Sequence, residues 1–295
     1  MTEPQMPTNP VADLVEVLNL ESRGELRFRG RSQWMPHGRV FGGQVLAQCL
    51  VAAGRTVERE RPAHSLHSYF LRPGDIGKPV EFQVDVLRDG RSFSSRRVLA
   101  LQDGQPILSM IASFQTVDPG LTHQVEAPAN IPEPELLPAT RDLFQSMEQL
   151  NHPAVEYWSK ARPFDIRHIE GPIYLTSAEN RVAAQAVWLK ALEPLPNAPE
   201  LHQAALAYVS DYSILESILR RHGLSWLHRG LSTASLDHAM WFHRPARVDE
   251  WLLYVQESPS AQSGRGLATG RIFSRQGQLI ASVAQEGMIR VPEIS

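Results

Sequence analysis

One stretch occurs twice in the chain and decides the fold: HSLHSYFLRPGD at residues 64–75 and ASLDHAMWFHRP at residues 234–245. Within it, the quartet Phe70-Leu71-Arg72-Pro73 lies 172 residues before Phe242-His243-Arg244-Pro245. β-rich runs follow both copies, and a hairpin signal (Asp103-Gly104, then Gln276-Gly277) divides each run in two. Self-similarity at a nearly constant offset across half a chain indicates the duplication of one structural unit.

A helical pattern precedes the strands of each copy. The first pattern covers about Gly42–Thr56, and the second covers about His202–Arg221. In both, apolar residues recur at intervals of three and four, which is typical of a helix with one buried face. A helix followed by several antiparallel strands, twice over, predicts an α+β fold in which helices pack against curved sheets.

A proline-rich stretch separates the two copies. Five prolines occur within twenty residues, at positions 119, 128, 132, 134 and 138. Because proline fixes φ and lacks the backbone donor, a regular helix or central strand is excluded here. We therefore predict a first repeat over residues 1–117, a linker over 118–152 with a short amphipathic helix near Arg141–Leu150, and a second repeat over 153–295.

Composition excludes several classes of protein. The chain has 295 residues, 29 Lys and Arg against 32 Asp and Glu, and one cysteine. A net charge of −3 gives no basic footprint for nucleic acid, and a single cysteine excludes an internal disulfide. The first twenty residues lack the basic and apolar regions of a signal peptide, and no run of about 18 apolar residues occurs. We expect a cytoplasmic protein without a membrane span.

Asp211 is the first polar residue that breaks a local pattern. It lies three residues after Tyr208 and four before Leu215, within the apolar stripe of the second predicted helix. A buried carboxylate there needs hydrogen bonds or a shifted pKa, because an unpaired buried charge is very costly. The alternative is a helix whose exposed face is simply wider than the stripe suggests.

Two further polar residues lie on strands of the second copy. Gln285 shares the face of the last strand with apolar or small residues such as Val283 and Gly287, so a buried amide would need partners. A position at the rim of the strand is the alternative. Ser235 belongs to a predicted strand that begins near Leu231 and leads into the second FHRP quartet, but serine is an ordinary strand residue and strand parity does not single it out.

Other chemistry-bearing residues give weaker signals. Of the histidines near the strands, His64 is the most plausible functional one, although the pattern favours an ordinary hydrogen-bonded role for it. Cys49 lies on the apolar stripe of the first helix and is expected to pack as a small hydrophobe. Zinc-site spacings, the GxSxG nucleophile elbow and nucleotide-phosphate loops are all absent from the sequence, so neither a metal nor an organic cofactor is predicted.

Several motifs together resemble the acyl-CoA thioesterase II (TesB-type) family over nearly the whole chain. These motifs are VFGGQVLAQ (40–48), HSLHSYFLRPGD (64–75), LRDGRSFSSRRV (87–98), SLDHAMWFHRP (235–245) and QEGMIR (285–290). The resemblance implies a double hotdog fold, in which each half is a long helix wrapped by a curved antiparallel sheet and the two sheets join.

The resemblance also implies an activity and its residues. The family hydrolyses fatty acyl-CoA to free fatty acid and CoA with an Asp, a Thr or Ser, and a Gln. By motif these fall on Asp211, Ser235 and Gln285, with Thr233 as the fallback hydroxyl. Relatives associate through their sheets, so a homodimer or homotetramer is expected. Rival readings are a hydratase, which would require an adjacent His and Asp motif, and an acyl-CoA-binding module without catalysis.

The first half lacks the catalytic set. At the repeat offset, Gly42-Gly43 is expected to stand where Asp211 stands in the second half, and Ala112 or Ser113 where Gln285 stands. We therefore predict that this half is structural or lines the substrate groove, with Gly42, Gly43 and His64 as tentative substrate-binding residues.

Overall fold

One continuous antiparallel sheet runs through both halves of the chain. The computed structural model describes residues 4–145 and 152–292, and within them the sheet has thirteen strands. The first half supplies β1 (Glu21–Ser22), β2 (Arg27–Gly30), β3 (Ala63–Phe70), β4 (Val80–Asp89), β5 (Phe93–Gln102) and β6 (Gln105–Gln115). The second half supplies β7 (Phe164–His168), β8 (Ala184–Ala191), β9 (Ser232–Ser235), β10 (Asp237–Phe242), β11 (Leu252–Gln262), β12 (Arg265–Ser274) and β13 (Leu279–Arg290).

The two repeats meet where β3 pairs with β10. The strand order is β1-β2-β4-β5-β6-β3-β10-β13-β12-β11-β8-β7, and β9 pairs with β13. Outward from the central pair, β6 matches β13, β5 matches β12 and β4 matches β11, so the order repeats in mirror sequence on either side. The predicted duplication and the predicted joining of the two sheets are both confirmed, and the fold is a double hotdog of the α+β class.

The hairpin signals fall where the sequence predicts them. Asp103 and Gly104 both have positive φ, at 50° and 73°, and they connect β5 to β6. Positive φ at both central residues is the two-residue turn whose twist matches that of the paired strands. Gly277, at φ 81°, lies in the corresponding connection between β12 and β13.

Helices cover the inner face of the sheet. They are α1 (Pro10–Leu18), α2 (Gly42–Gly54), α3 (Thr140–Gln145), α4 (Pro153–Glu156), α5 (Pro199–Ser210) and α6 (Glu216–His222), with a 3₁₀ turn at Pro134–Leu136 and a π turn at Tyr157–Ala161. In the centre, α2 and α5 pack against each other and share one apolar core with the inner side chains of both halves. No helix in the described part of the chain is long and apolar enough to cross a membrane.

The second helix differs from its prediction. The pattern predicts one helix over about 202–221, whereas α5 ends at Ser210 and α6 begins at Glu216. The turn between them buries Tyr212, Ile214 and Leu215 as completely as a helix would. Because burial continues through the break, apolar periodicity cannot reveal that the helix stops just before Asp211.

The proline-rich segment packs on the outer face of the second half's sheet. Its residues Ala127, Ile131 and Leu137 contact the apolar cluster of Ala186, Trp188, Trp251, Leu253, Phe273 and Leu279. The Trp188 indole N–H donates to the Pro132 carbonyl at 2.9 Å, and Arg275 forms ion pairs with Glu133 and Glu135. The predicted amphipathic helix near 141–150 is present as α3, and its part beyond residue 145 lies outside the described residues.

A buried polar network fastens α6 to the sheet. The Glu216 carboxylate is fully buried and contacts the His168 ring at 3.0 Å, and it accepts hydrogen bonds from Gln185 and Trp226. Burial alone would raise the pKa of Glu216, but the His168 ring and these hydrogen bonds hold it below its usual value. The carboxylate is therefore the acceptor on which three buried donors from different elements depend.

Replacing Glu216 by alanine should destabilise the fold strongly. The change leaves His168, Gln185 and Trp226 without their shared acceptor. Each buried donor left without its acceptor costs about 1–3 kcal/mol, so losing an acceptor shared by three donors should lower the melting temperature of a chain of this size by roughly 10 °C.

The matched control is Glu257→Ala, since Glu257 forms an exposed ion pair with Arg271 at 2.9 Å. Loss of such a pair costs at most about 1 kcal/mol. Equal melting temperatures for the two variants would contradict a stabilising role of the network.

Candidate active site

Three side chains from separate elements form one hydrogen-bonded group. Asp211 follows the last residue of α5, Ser235 ends β9, and Gln285 lies within β13. The Gln285 amide nitrogen donates to Asp211 Oδ1 at 2.8 Å and to Ser235 Oγ at 2.9 Å. The Ser235 hydroxyl donates to the same Asp211 oxygen at 3.2 Å. The structure therefore brings together all three residues predicted as catalytic.

Local structure explains how each side chain reaches the group. β9 pairs with β13 so that Ser235 opposes Gly287, two residues beyond Gln285 and on the same face. Any side chain at position 287 would meet Leu215, because an added Cβ would lie 2.6 Å from its Cδ1. Thr233 pairs further along β13, opposite Ile289, so Ser235 is the hydroxyl that reaches the carboxylate.

The carboxylate of Asp211 has an unusual protonation equilibrium. Burial raises the pKa of Asp211 to about 6, while hydrogen bonds from Gln285, Ser235 and the Gly43 backbone N–H limit the rise. Some of the residue's surface remains accessible to solvent. A carboxylate with a pKa near 6 is ionised at neutral pH and is still a far better proton acceptor than an ordinary aspartate.

The start of α2 belongs to this site. Gly42 and Gly43 open the helix, and the Gly43 N–H points at the Asp211 carboxylate. A Cβ on Gly42 would lie 2.7 Å from Asp211 Oδ2, and one on Gly43 would lie 2.3 Å from the Tyr208 carbonyl oxygen. Only glycine allows so close an approach, and the positive end of the helix dipole then faces the carboxylate.

The predicted correspondence between the two repeats is correct for Ala112 and wrong for Gly42-Gly43. Ala112 does occupy the place of Gln285, because His67 opposes Ile111 just as Ala239 opposes Ala284. Gly42-Gly43, however, does not occupy the place of Asp211. Asp211 follows the end of α5, and the residue that follows the end of α2 is Arg55. The glycines meet Asp211 because the two helices pack side by side, so their relation is a contact rather than an equivalence.

His64 lies elsewhere. It is the second residue of β3, whereas Tyr69, five residues further along that strand, is the residue that opposes Asp237 near the site. Five residues of strand span roughly 17 Å. His64 instead contacts Ser113 Oγ at 2.8 Å and the Phe93 ring, and burial lowers its pKa. The geometry does not support its predicted role as a substrate-binding residue in this site.

His238 is a residue that the sequence reasoning did not single out. It is completely buried, and its Nδ1 contacts Gln285 Oε1. The histidine belongs to the quoted SLDH motif, but the signal is weak because four histidines flank the strands. Only the register of β10 on β13, with Ala239 opposite Ala284, places His238 across from Gln285.

This arrangement supplies the parts of a hydrolytic site. A carboxylate of raised pKa can accept a proton from water, and the hydroxyl and the amide beside it hold that carboxylate in position. N–H groups at the start of a helix can stabilise a developing oxyanion. In the described part of the chain, no group of three or more His, Cys, Asp or Glu side chains is placed to hold a metal ion.

Comparisons with known proteins agree with this chemistry. Residues 31–115 match the family model described as the acyl-CoA thioesterase N-terminal domain, and residues 170–288 match the model described as acyl-CoA thioesterase. The chain is 40% identical over 284 residues to acyl-CoA thioesterase 2 of Haemophilus influenzae, which covers 95% of this chain and 98% of the relative.

Two solved structures are similar over nearly the whole chain. The acyl-CoA thioesterase II TesB2 of Mycobacterium marinum is 42% identical, with a TM-score of 0.78 over 96% of this chain and all of that one. A protein with a hot dog fold from Alicyclobacillus acidocaldarius is 21% identical, with a TM-score of 0.76 over 95% of this chain and 98% of that one, and it supports the fold alone.

Replacing Gly43 by alanine should disrupt the contact between α2 and α5. The added Cβ would overlap the Tyr208 carbonyl oxygen, so the helices must separate. Overpacking of this kind costs about 1–3 kcal/mol, which a melting curve detects as a fall of several degrees. The control is Gly120→Ala, where an added Cβ meets nothing within 4 Å. Equal stability of the two variants would show that the helices are not in close contact.

Proposed function

The chain belongs to the acyl-CoA thioesterase family, and from this premise we propose that it hydrolyses fatty acyl-CoA through a water molecule activated by Asp211. The observation that carries the proposal is the contact of one carboxylate oxygen with both Ser235 and Gln285. A binding module without catalysis has no need for a desolvated carboxylate with a pKa of about 6. A hydratase would need a histidine beside the acid in one short motif, and the residues around Asp211 include none.

The reaction begins with proton transfer from water to Asp211. The water lies beside the carboxylate, which the Ser235 hydroxyl and the Gln285 amide hold in place through Oδ1. As its proton moves to Asp211, its oxygen attacks the carbonyl carbon of the thioester and forms a tetrahedral intermediate. General-base assistance of this type contributes about 10²–10⁴-fold to the rate.

The start of α2 stabilises the intermediate. The N–H of Gln44 donates to the Phe41 carbonyl and the N–H of Gly43 donates to the Asp211 carboxylate, so the N–H of Gly42 is the donor left for the substrate. The negative charge on the former carbonyl oxygen is placed against this donor and the positive end of the helix dipole. Gly42 therefore contacts the substrate through its backbone, while Gly43 holds the carboxylate.

Collapse of the intermediate completes the reaction. The bond between carbon and sulfur breaks, and CoA leaves as a thiolate. Because a thiol has a pKa of about 8.5, the thiolate is a good leaving group and needs little acid assistance. The proton held by Asp211 passes to the sulfur, which restores the carboxylate and releases free fatty acid and CoA.

Asp211→Asn should abolish turnover. The amide cannot accept the proton from water, so we expect kcat to fall by at least about 10²-fold while acyl-CoA binding remains. Release of free thiol from acyl-CoA substrates of increasing chain length measures the rate, and calorimetry measures binding. Asp103→Asn, in an exposed turn, is the control. Turnover close to wild type in Asp211→Asn would overturn the assignment.

The alternative route through an acyl-enzyme has its own test. Ser235 could attack the thioester directly with Asp211 as its base, since the two are hydrogen-bonded. Rapid quenching followed by intact mass measurement would then detect an acyl group on Ser235. Direct attack by water predicts no such adduct at any time during turnover.

The pH profile should report the ionisation of Asp211. Burial raises the pKa of Asp211 to about 6, and only the ionised form is a base. We therefore expect kcat/KM to be constant above about pH 7 and to fall roughly tenfold per pH unit below 6. A midpoint near 4, as for an ordinary exposed aspartate, would contradict this role.

We also propose self-association through the outer face of the sheet. Around the junction of β3 and β10 this face exposes Tyr69 at 64%, Ile111 at 49% and Trp241 at 38%. An exposed apolar surface of this kind is typical of an interface, and the family resemblance favours a homodimer or homotetramer. Analytical ultracentrifugation tests this, and a monomer at micromolar concentration would contradict it.

A cytoplasmic location is proposed as well. Cys49 is a free, buried thiol, which is ordinary in a reducing compartment. Fractionation of cells that express the tagged chain tests the location.

A further inference from the structure

His238 lies directly behind the active site and connects Gln285 to the end of α5. The imidazole is fully buried in β10, its Nδ1 contacts Gln285 Oε1, and its Nε2 lies 3.0 Å from Ser210 Oγ. Ser210 immediately precedes Asp211. The imidazole touches none of the reacting atoms, and its contact with the site is made through Gln285.

The carboxylate determines the direction of this chain of hydrogen bonds. An ionised carboxylate accepts hydrogen bonds and donates none. The end of the Gln285 side chain that lies 2.8 Å from Asp211 Oδ1 must therefore be the NH₂ group, which leaves its carbonyl oxygen facing His238. A carbonyl oxygen also only accepts, so the proton between it and the imidazole belongs to Nδ1.

The second ring nitrogen completes the pattern. Burial lowers the pKa of His238 to about 4, so the ring is neutral at physiological pH and Nε2 carries a lone pair. Ser210 Oγ lies within reach of Nε2 and of the Ala207 carbonyl oxygen, at 3.0 and 2.9 Å. With Nδ1 protonated, Nε2 can accept the single hydroxyl proton of Ser210 in place of the Ala207 carbonyl, and one directional chain then runs from Ser210 through His238 and Gln285 to Asp211.

We propose that His238, as the neutral tautomer protonated on Nδ1, is a positioning residue that holds the Gln285 amide with its NH₂ group towards Asp211 and Ser235. This inference rests on the proposed function. An amide rotated by half a turn would set its oxygen against the carboxylate, repel the ionised form and lose the bond to Ser235. Because the Gln285 hydrogen bond also lowers the pKa of Asp211, loss of the orientation should affect both rate and ionisation.

Three substitutions separate positioning from simple packing. His238→Asn retains an N–H donor near the position of Nδ1, His238→Gln moves the donor to the position of Nε2, and His238→Leu removes it at similar volume. Partners that orient metal ligands contribute about 10- to 100-fold, and we expect the same order here. In His238→Leu and His238→Gln, kcat should fall by that factor with little change in KM, while His238→Asn should recover most of it.

The pH dependence of kcat/KM distinguishes a positioning role from a packing role, because a loss of packing alone would not change it. Without a fixed Gln285, the acid limb of kcat/KM should move to higher pH by about half a unit or more in His238→Leu, and stay in place in His238→Asn. His123→Leu, an exposed histidine of the proline-rich segment, is the control and should match wild type in both respects.

Two results would overturn the proposal. One is an equal loss of kcat in His238→Asn and His238→Leu with an unchanged acid limb, which would show a packing role only. The other is a ¹⁵N spectrum of the wild-type enzyme, labelled in histidine, in which the His238 proton resides on Nε2, and this measurement needs no folded Leu variant. Activity in Asp211→Asn would instead refute the proposed function, so the two failures are distinguishable.

Discussion

The close packing of α2 against α5 is the contact on which the active site depends. At Gly43 the backbone of one helix lies so near the Tyr208 carbonyl of the other that a methyl group would not fit. This contact crosses from the first repeat to the second. It brings the start of α2, with its unpaired N–H groups and positive dipole, to the carboxylate that follows α5. The second repeat carries the three side chains and the first supplies the helix start, so neither repeat by itself contains the complete site.

The duplication explains why such a site can be asymmetric. The helices α2 and α5 pack against each other and are related by an approximate two-fold axis. The start of each helix therefore lies near the end of the other, which gives two comparable places in the fold. At one of them Asp211 follows α5 and meets Gly42. At the other Arg55 follows α2, and Ala112 stands where Gln285 would be needed. The second place has no base and no amide, so the fold retains the symmetry of its origin while the chemistry is confined to one end.

Sequence patterns could predict the architecture because the repeat and the strand alternation are local signals. The helix predicted over about 42–56 and observed over 42–54, and the hairpins at Asp103-Gly104 and Gln276-Gly277, followed from them, whereas the joining of the two sheets was implied by the family resemblance. Two of the three site residues, Asp211 and Gln285, were visible as polar breaks in apolar faces. The end of α5 at Ser210 was not visible in the sequence, because the buried apolar stripe continues through the following turn at Tyr212, Ile214 and Leu215.

The different positions of His64 and His238 relative to the site have one physical cause. Which histidine faces a site depends on the register between strands that are distant in sequence, and the two-residue period states only which face a residue lies on. His64 has a visible signal and lies at the far end of β3, whereas His238 is fixed opposite Gln285 by the pairing of β10 with β13.

A buried polar side chain such as that of His238 or Gln285 is tolerated only if every hydrogen-bond donor and acceptor on it has a partner. For His238 that requirement selects one tautomer, and the same requirement at Gln285 selects one orientation of the amide. The buried hydrogen bonds that stabilise this part of the fold therefore also determine which atoms face the reacting carboxylate. The same bonds stabilise the fold and preorganise the site.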